Sequence, residues 1–386
     1  MLNIGLSKKA RKTYGFDEIS LIPGNRIIDP DDIDTSLEIC GFKLKIPFLA
    51  SAMDGVVSPK TAVIMGKLGA AGVLNLQGVQ TRYDDPDKIL KRIASVSKEE
   101  YVPLMQEIYH KPIRENLVIK RIKEIKSHKV PTIVSSTANE AEKLGRLSVK
   151  AGADAFLIQS TVVSTRYISK RSKPLDLKKF CSSLEIPVMI GNCVTYESTL
   201  ELIKACAKAV FIGIVPGAAC TSRGVLGVGM PMATAIADCA YARDEYFRKT
   251  KKYIPVIADG GMTTSGDISK AIAVGADGIM VGSPFARAIE APGIGYHWGM
   301  ATPNATLPRG TRLKVGTIGT LKEIVVGPAK YDDGSENLWG ALKLSMSTLG
   351  ASSIKEMQKV DVAIAPSILT EGKVYQKAQQ LGMHKR

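Results

Sequence analysis

A single thiol stands in a run of small and hydroxylated residues, Pro216-Gly-Ala-Ala-Cys-Thr-Ser-Arg-Gly-Val-Leu-Gly-Val-Gly-Met-Pro231. Loops of this composition let backbone N–H and C=O groups approach a ligand or an ion closely. Arg223, three residues beyond Cys220, is expected to bias the thiol toward thiolate, its nucleophilic form. With the hydroxyls of Thr221 and Ser222 beside it, Cys220 reads as a reactive residue and not as a small packing residue. Two further clusters, Asp259-Gly-Gly261 and Gly282-Ser283, follow apolar runs. Gly260, Gly261, Gly282 and Ser283 are small enough to present backbone amides to a phosphate. Asp259 would repel a phosphate, but it can accept hydrogen bonds from a pair of ribose hydroxyls.

Such groups must be held by rigid elements. Eight short apolar runs recur, at 46–50, 72–76, 131–134, 155–159, 187–190, 209–214, 255–258 and 278–281. Near-continuous hydrophobicity suits parallel strands buried on both faces. Helical patterns separate them, including 140–150, 196–207 and 265–274, and the run at 102–108 reads as helix within a longer helical connection from 79 to 129. A weak repeat, AGADAFLI (151–158), ACAKAVFI (205–212) and VGADGIMV (274–281), marks where a helix ends in a left-handed turn and a strand begins. The expected fold is therefore α/β, a (β/α)8 TIM barrel in a single catalytic domain over 1–386. Such a barrel fills about 250 residues, and more with insertions. A doubly wound open sheet is the alternative; no GxGxxG follows the first strand to favour it. The stretch from Gly293 to Asn337, rich in Gly, Pro and Thr, shows no barrel unit; a flap at about 294–336 is expected after strand 8. Short strand-like pieces fall within it at 312–315 and 321–326. An amphipathic helix begins at Asn337, and the tail returns to an apolar run after Val360.

With 45% apolar and 23% charged residues over 386 positions, the chain has the profile of a globular protein. No apolar run is long enough to span a membrane, and the N-terminal residues do not read as a secretory signal, so no membrane partner and a cytoplasmic location are expected. The formal charge is +15, with basic clusters at Lys120, Arg121, Lys123, Lys126 and Lys129, at Lys170, Arg171, Lys173, Lys178 and Lys179, and at Arg248, Lys249, Lys251 and Lys252. Few aromatics interleave with them. The expectation is a solvated surface that favours phosphorylated substrates, with no nucleic-acid partner. Six dispersed cysteines form no CxxC pair and have no histidine at zinc-ligand spacing, which fits reduced thiols. His110, His128 and His384 read as surface or core residues, Met230 and Met232 as packing. Trp298 is open between packing and stacking on a ring ligand.

Taken together, the Cys220 loop, Ala258-Asp-Gly-Gly261, Met280-Val-Gly-Ser283, Glu290-Ala-Pro-Gly293, Ser51-Ala-Met-Asp54 and Phe16-Asp-Glu-Ile-Ser-Leu-Ile-Pro23 resemble the IMP dehydrogenase / GMP reductase family over nearly the whole chain. The chain is most similar to a compact bacterial branch that lacks the regulatory CBS modules, since 79–129 is too short to hold them. The resemblance implies that Cys220, aided by Ser222, attacks C2 of IMP, that a hydride passes to NAD, and that water releases XMP from a covalent thioimidate. It assigns Asp259 to the ribose, Gly260, Gly261, Gly282 and Ser283 to the 5′-phosphate, Ser51 and Met53 to the pocket wall, and Gly299, Met300 and Ala301 to the base. Asn192, Gln159 and Ser160 fall on the cofactor side. Arg309 matches the flap arginine that activates water, with Arg312 as its rival. A homotetramer is implied, with stacking into octamers open.

Several positions depart from the family pattern. Val215 replaces a glycine in the loop whose backbone, at Val215, Gly217 and Cys220, would hold a monovalent cation such as K+. Ala218 replaces a phosphate-binding serine, Gln159 replaces an aspartate, and Gly310 stands where the family has tyrosine. The tyrosine before the flap corresponds to Tyr296 or His297. Three functions are expected in this order: IMP dehydrogenase; GMP reductase, although the flap offers no obvious glutamate placed for deamination; and a nucleotide-binding paralogue without turnover.

Overall fold

The computed structural model describes residues 2–170, 173–365, 376, 378 and 379. Eight parallel strands close on themselves: β1 (Phe48–Ala50), β2 (Ala71–Asn75), β3 (Ile133–Ser136), β4 (Ala155–Gln159), β5 (Val188–Cys193), β6 (Val210–Ile212), β7 (Val256–Asp259) and β8 (Gly278–Val281). They correspond one for one to the eight apolar runs. β8 pairs with β1 through Ile279↔Phe48 and Val281↔Ala50, which excludes the open sheet. The helices are α1 (Pro59–Lys67), α2 (Pro86–Ser95), α3 (Tyr101–His110), α4 (Glu115–Lys126), α5 (Ala141–Ala151), α6 (Leu177–Ser183), α7 (Tyr196–Lys204), α8 (Ser222–Leu226), α9 (Met232–Thr250), α10 (Ser265–Ala273), α11 (Ser283–Ala286), α12 (Leu321–Val326), α13 (Leu338–Thr348) and α14 (Ile354–Met357).

Strand alternation divides the core in two. Leu49, Val73, Ile133, Leu157, Met189, Phe211, Ile257 and Met280 fill the barrel, plugged by Leu37, Ile39 and Leu44 of an N-terminal hairpin. Phe48, Leu74, Val134, Phe156, Ile158, Val210 and Val281 face outward onto the helices. Both faces of every strand are thus apolar, which is why the runs show no alternation in sequence. The repeat has a common geometry. Gly152, Cys206 and Gly275 all take positive φ (86, 80 and 123°) immediately after a helix. Asp154 and Asp277 then each accept the backbone N–H of a residue at or just before a neighbouring strand, Thr132 at 2.9 Å and Val256 at 2.9 Å.

The connection between β2 and β3 is helical, as its sequence implies. α2 and α3 bury Leu90, Ile93, Leu104, Met105 and Ile108 around Val79 and Trp298, forming a small core apart from the barrel. In the flap, Tyr296–Trp298 pairs antiparallel with Arg312–Lys314. The second strand-like piece is corrected: 321–326 is helix α12. Its β-branched residues are overridden by a reciprocal cap, in which Glu323 accepts the Thr320 N–H (2.7 Å) and Thr320 Oγ1 accepts the Glu323 N–H (3.2 Å). Asn337 caps α13, and Val362–Ile364 pairs with Ile19–Leu21. One basic cluster is also corrected. Arg121 is buried and donates to the Gln80 and Asp84 carbonyls, because α4 turns that face inward. Arg171 and His384 lie outside the described residues, and His128 is exposed. Among the described residues no helix is long and apolar enough to cross a membrane.

Candidate active site

The C-terminal ends of the strands surround one cavity of about 1150 Å3. Cys220 lies on its wall in the loop after β6. Its Sγ is 3.4 Å from the Oγ of Ser222, which is fully buried at the start of α8 beneath the thiol. The flap is clasped onto this loop. The Thr311 N–H donates to the Ala219 carbonyl at 3.0 Å, and Cys220 and Gly310 form an antiparallel bridge. The contact is so close that a Cβ at Gly310 would sit 2.4 Å from Thr302 Oγ1 and 2.9 Å from Gly299 Cα. Tyrosine cannot occupy 310 in this arrangement, which accounts for the glycine there.

Asp259 ends β7. Its Oδ2 accepts the amide N–H groups of Asn192 (2.7 Å) and Gln159 (2.8 Å), so the ends of β4, β5 and β7 meet in one cluster. Asn192 reaches it because a bulge between Gly191 and Cys193 re-aims the end of β5. Burial pushes the Asp259 carboxyl up to about 6, opposed by the two amides, and no cation offsets its charge. Gly260 and Gly261 follow with φ of 82 and 78°, and a Cβ on Gly261 would press within 2.8 Å of Pro216. Consecutive left-handed residues at this packing distance require glycine.

At the end of β8, Gly282 and Ser283 face Ser51 and Met53 of the β1 loop. The Ser283 Oγ lies 3.0 Å from His297 Nε2. His297 is buried, its Nδ1 has no partner, and burial alone pulls its titration down to about 4, so the ring is neutral. Of the two candidates before the flap, His297 points toward Ser283, whereas Tyr296 stacks against Arg312. Arg312 itself is fully engaged: its guanidinium donates to the carbonyls of Ile93, Ala94 and Val96 and covers Tyr101. Arg309 lines the cavity with its Nε buried and unpartnered. Geometry thus separates the two flap arginines.

Ser160, Val215, Gly217, Gly299, Met300 and Ala301 also line the cavity, so the structure gathers every residue singled out in the sequence except Ser222, which lies below it. Val215 holds φ of 66°, the left-handed conformation a glycine would adopt freely. Trp298 is fully buried in the α2–α3 core and donates to Tyr109 OH at 3.2 Å, which places it in packing and not on a ligand. His110 is corrected: it lines the cavity at the end of α3, together with Arg82, Tyr109 and Lys111. These residues were not legible as site residues, because a helical connection distant in sequence carries no motif that marks its last turn.

A family model described as the IMP dehydrogenase / GMP reductase domain matches residues 13–375. An uncharacterized oxidoreductase of Mycolicibacterium smegmatis is 36% identical over 373 residues, covering 94% of this chain and all of that one. The inosine-5′-monophosphate dehydrogenase of Cryptosporidium parvum is 31% identical over 397 residues, covering 96% of each. A crystal structure of an IMP dehydrogenase/GMP reductase-like protein from Corynebacterium glutamicum superimposes with a TM-score of 0.89 at 33% identity, over 94% of this chain and 97% of that one.

Proposed function

The chain belongs to the IMP dehydrogenase / GMP reductase family, an oxidoreductase family, and from that premise we propose that it oxidises IMP to XMP with NAD. The observation that carries this reading is the convergence, in one cavity, of a thiol, a carboxylate without a cation, a glycine-serine turn and a flap arginine. Asp259 accepts the ribose hydroxyls, taking them in place of, or beside, the two amides that now hold it. Gly260, Gly261, Gly282 and Ser283 bind the 5′-phosphate, with His297 orienting the Ser283 hydroxyl. Met300 and its neighbours Gly299 and Ala301 present backbone groups to the base.

Cys220 Sγ, as thiolate, bonds to C2 of the hypoxanthine. NAD, held by Asn192, Gln159 and Ser160, supplies the acceptor for the hydride that leaves C2. The cavity is larger than the roughly 300–1,000 Å3 of an ordinary ligand pocket, which fits a second ligand beside the nucleotide. Arg309 then draws a proton from water as its oxygen bonds to C2. The C–S bond breaks, the thiolate is restored, and XMP leaves. The balance is IMP, NAD+ and water giving XMP, NADH and a proton. Thiolate suits both halves because it is a strong nucleophile and a competent leaving group. We further infer a potassium ion on the carbonyls of Val215, Gly217 and Cys220, and a homotetramer as the working assembly.

Purified protein given IMP and NAD should generate NADH absorbance, faster with potassium than without, and Cys220→Ala should abolish it. NADPH consumption dependent on GMP would instead assign GMP reduction. Calorimetric binding of nucleotide without turnover of either pair would assign a non-catalytic paralogue.

A further inference from the structure

The β2–β3 connection brings to the cavity a wall that the chemistry above leaves unused. Tyr109, in the last turn of α3, lines the cavity with its hydroxyl fixed from behind: it donates to Asp54 Oδ2 at 2.5 Å and accepts from Trp298 Nε1 at 3.2 Å. Asp54 is 1% exposed, and its Oδ1 has no hydrogen-bond partner. A buried carboxylate on a tyrosine hydroxyl is costly unless the ring must be held in one place. Arg82 packs over the same ring, its guanidinium 5.8 Å from the centroid. It donates to the Gln77 and Lys111 carbonyls and, among the described residues, forms no ion pair. Lys111 lines the same wall, while Glu107, the acid nearby, is held by two bonds of 3.0 Å to Arg92. The wall is therefore aromatic and cationic, with its one exposed acid already paired. It also meets the flap, since Gln106 Nε2 donates to the Asn304 carbonyl at 3.2 Å.

Resting on the dinucleotide-dependent oxidation proposed above, we propose that this wall is the subsite for the distal, non-reacting nucleotide half of the cofactor, with Arg82 meeting its diphosphate on the platform fixed by Tyr109. Arginine suits this task because its planar fork matches phosphate oxygens while its face remains stacked on an aromatic ring. Asp54 is a positioning residue: it holds the tyrosine and touches no ligand.

The test compares two oxidants on the same enzyme with saturating IMP, NAD and the truncated nicotinamide mononucleotide, which lacks the distal half. Arg82→Ala should lower the ratio of kcat/KM for NAD to that for the mononucleotide about tenfold, through KM for NAD. Lys111→Ala, at an exposed position that does not threaten folding, should lower the same ratio about threefold. Equal losses with both oxidants would mean that Arg82 only supports the fold and would overturn the subsite, as would no change with either. If the parent protein turns over neither oxidant, the functional reading fails separately. Calorimetry with NAD then decides: weaker binding to Arg82→Ala than to the parent sustains the subsite, and equal or no binding removes it.

Discussion

Two buried aspartates sit at opposite ends of the same pair of strands. Asp277 precedes β8 at the N-terminal end of the barrel, and Asp259 finishes β7 at the C-terminal end. Asp277 meets Arg243 at 2.7 Å, Tyr253 OH at 2.6 Å, the Val256 N–H at 2.9 Å, Gln358 at 3.1 Å and the ammonium of Lys355. Asp259 meets two neutral amides and no cation. Burial raises the titration of both carboxyls. One is compensated from all sides and closes the bottom of the barrel. The other carries an uncompensated charge toward a cavity, and ligand hydroxyls can complete its hydrogen bonds. The difference teaches that the two ends are built to opposite criteria: satisfied polar groups give stability, and under-satisfied ones give a site.

Four substitutions test that division. Cys220→Ala should cost the most activity, at least about 10^3-fold in kcat, with little change in thermal midpoint, because the half-buried thiol has a single side-chain hydrogen bond, to Ser222; a large fall in the midpoint would break the comparison. Asp277→Ala should leave Arg243 buried without its main counter-charge and cost about 3–5 kcal/mol in denaturant unfolding. Asp259→Asn should do the reverse. Its carboxyl titrates at about 6 in the fold against an ordinary 3.8. Its contribution to stability is therefore full below the ordinary value and is lost as pH rises through about 6. The variant should gain about 2 kcal/mol at pH 8, below the limit of about 3 kcal/mol that the shift sets because the carboxyl has some access to the cavity, and nothing at pH 4. Nucleotide affinity should fall at the same time. A stability gain equal at both pH values would refute the charge argument. Smallest is Val215→Gly, which relieves a β-branched residue from a left-handed conformation and should stabilise by about 1 kcal/mol in thermal unfolding.

Much of the fold was legible because its signals are local. Apolar runs between helical patterns, and small residues after each run, follow from burial on both faces of a strand and from the left-handed turn that begins it. The repeat even marked Cys206 as equivalent to Gly152 and Gly275, and all three have positive φ. Where local signals conflict, reading from sequence fails. The run 321–326 is β-branched enough to suggest a strand, yet a cap formed by Thr320 and Glu323 makes it a helix. The site divides in the same way. Cys220, Asp259 and Ser283 announce themselves through their loops, whereas His297, Arg82 and Tyr109 lie in segments with ordinary helical or strand composition.

Sequence by itself determined the eight strands, their order of appearance and the loops that carry the thiol, the carboxylate and the glycine turns, because each depends on neighbours within a few residues. Tertiary structure alone decided that Gln159 and Asn192 hold Asp259, that Arg309 faces the cavity while Arg312 caps α2, and that α3 walls the site. Those outcomes depend on which side chains meet when the barrel closes and the flap folds across it, over separations of up to about two hundred residues that no local pattern encodes.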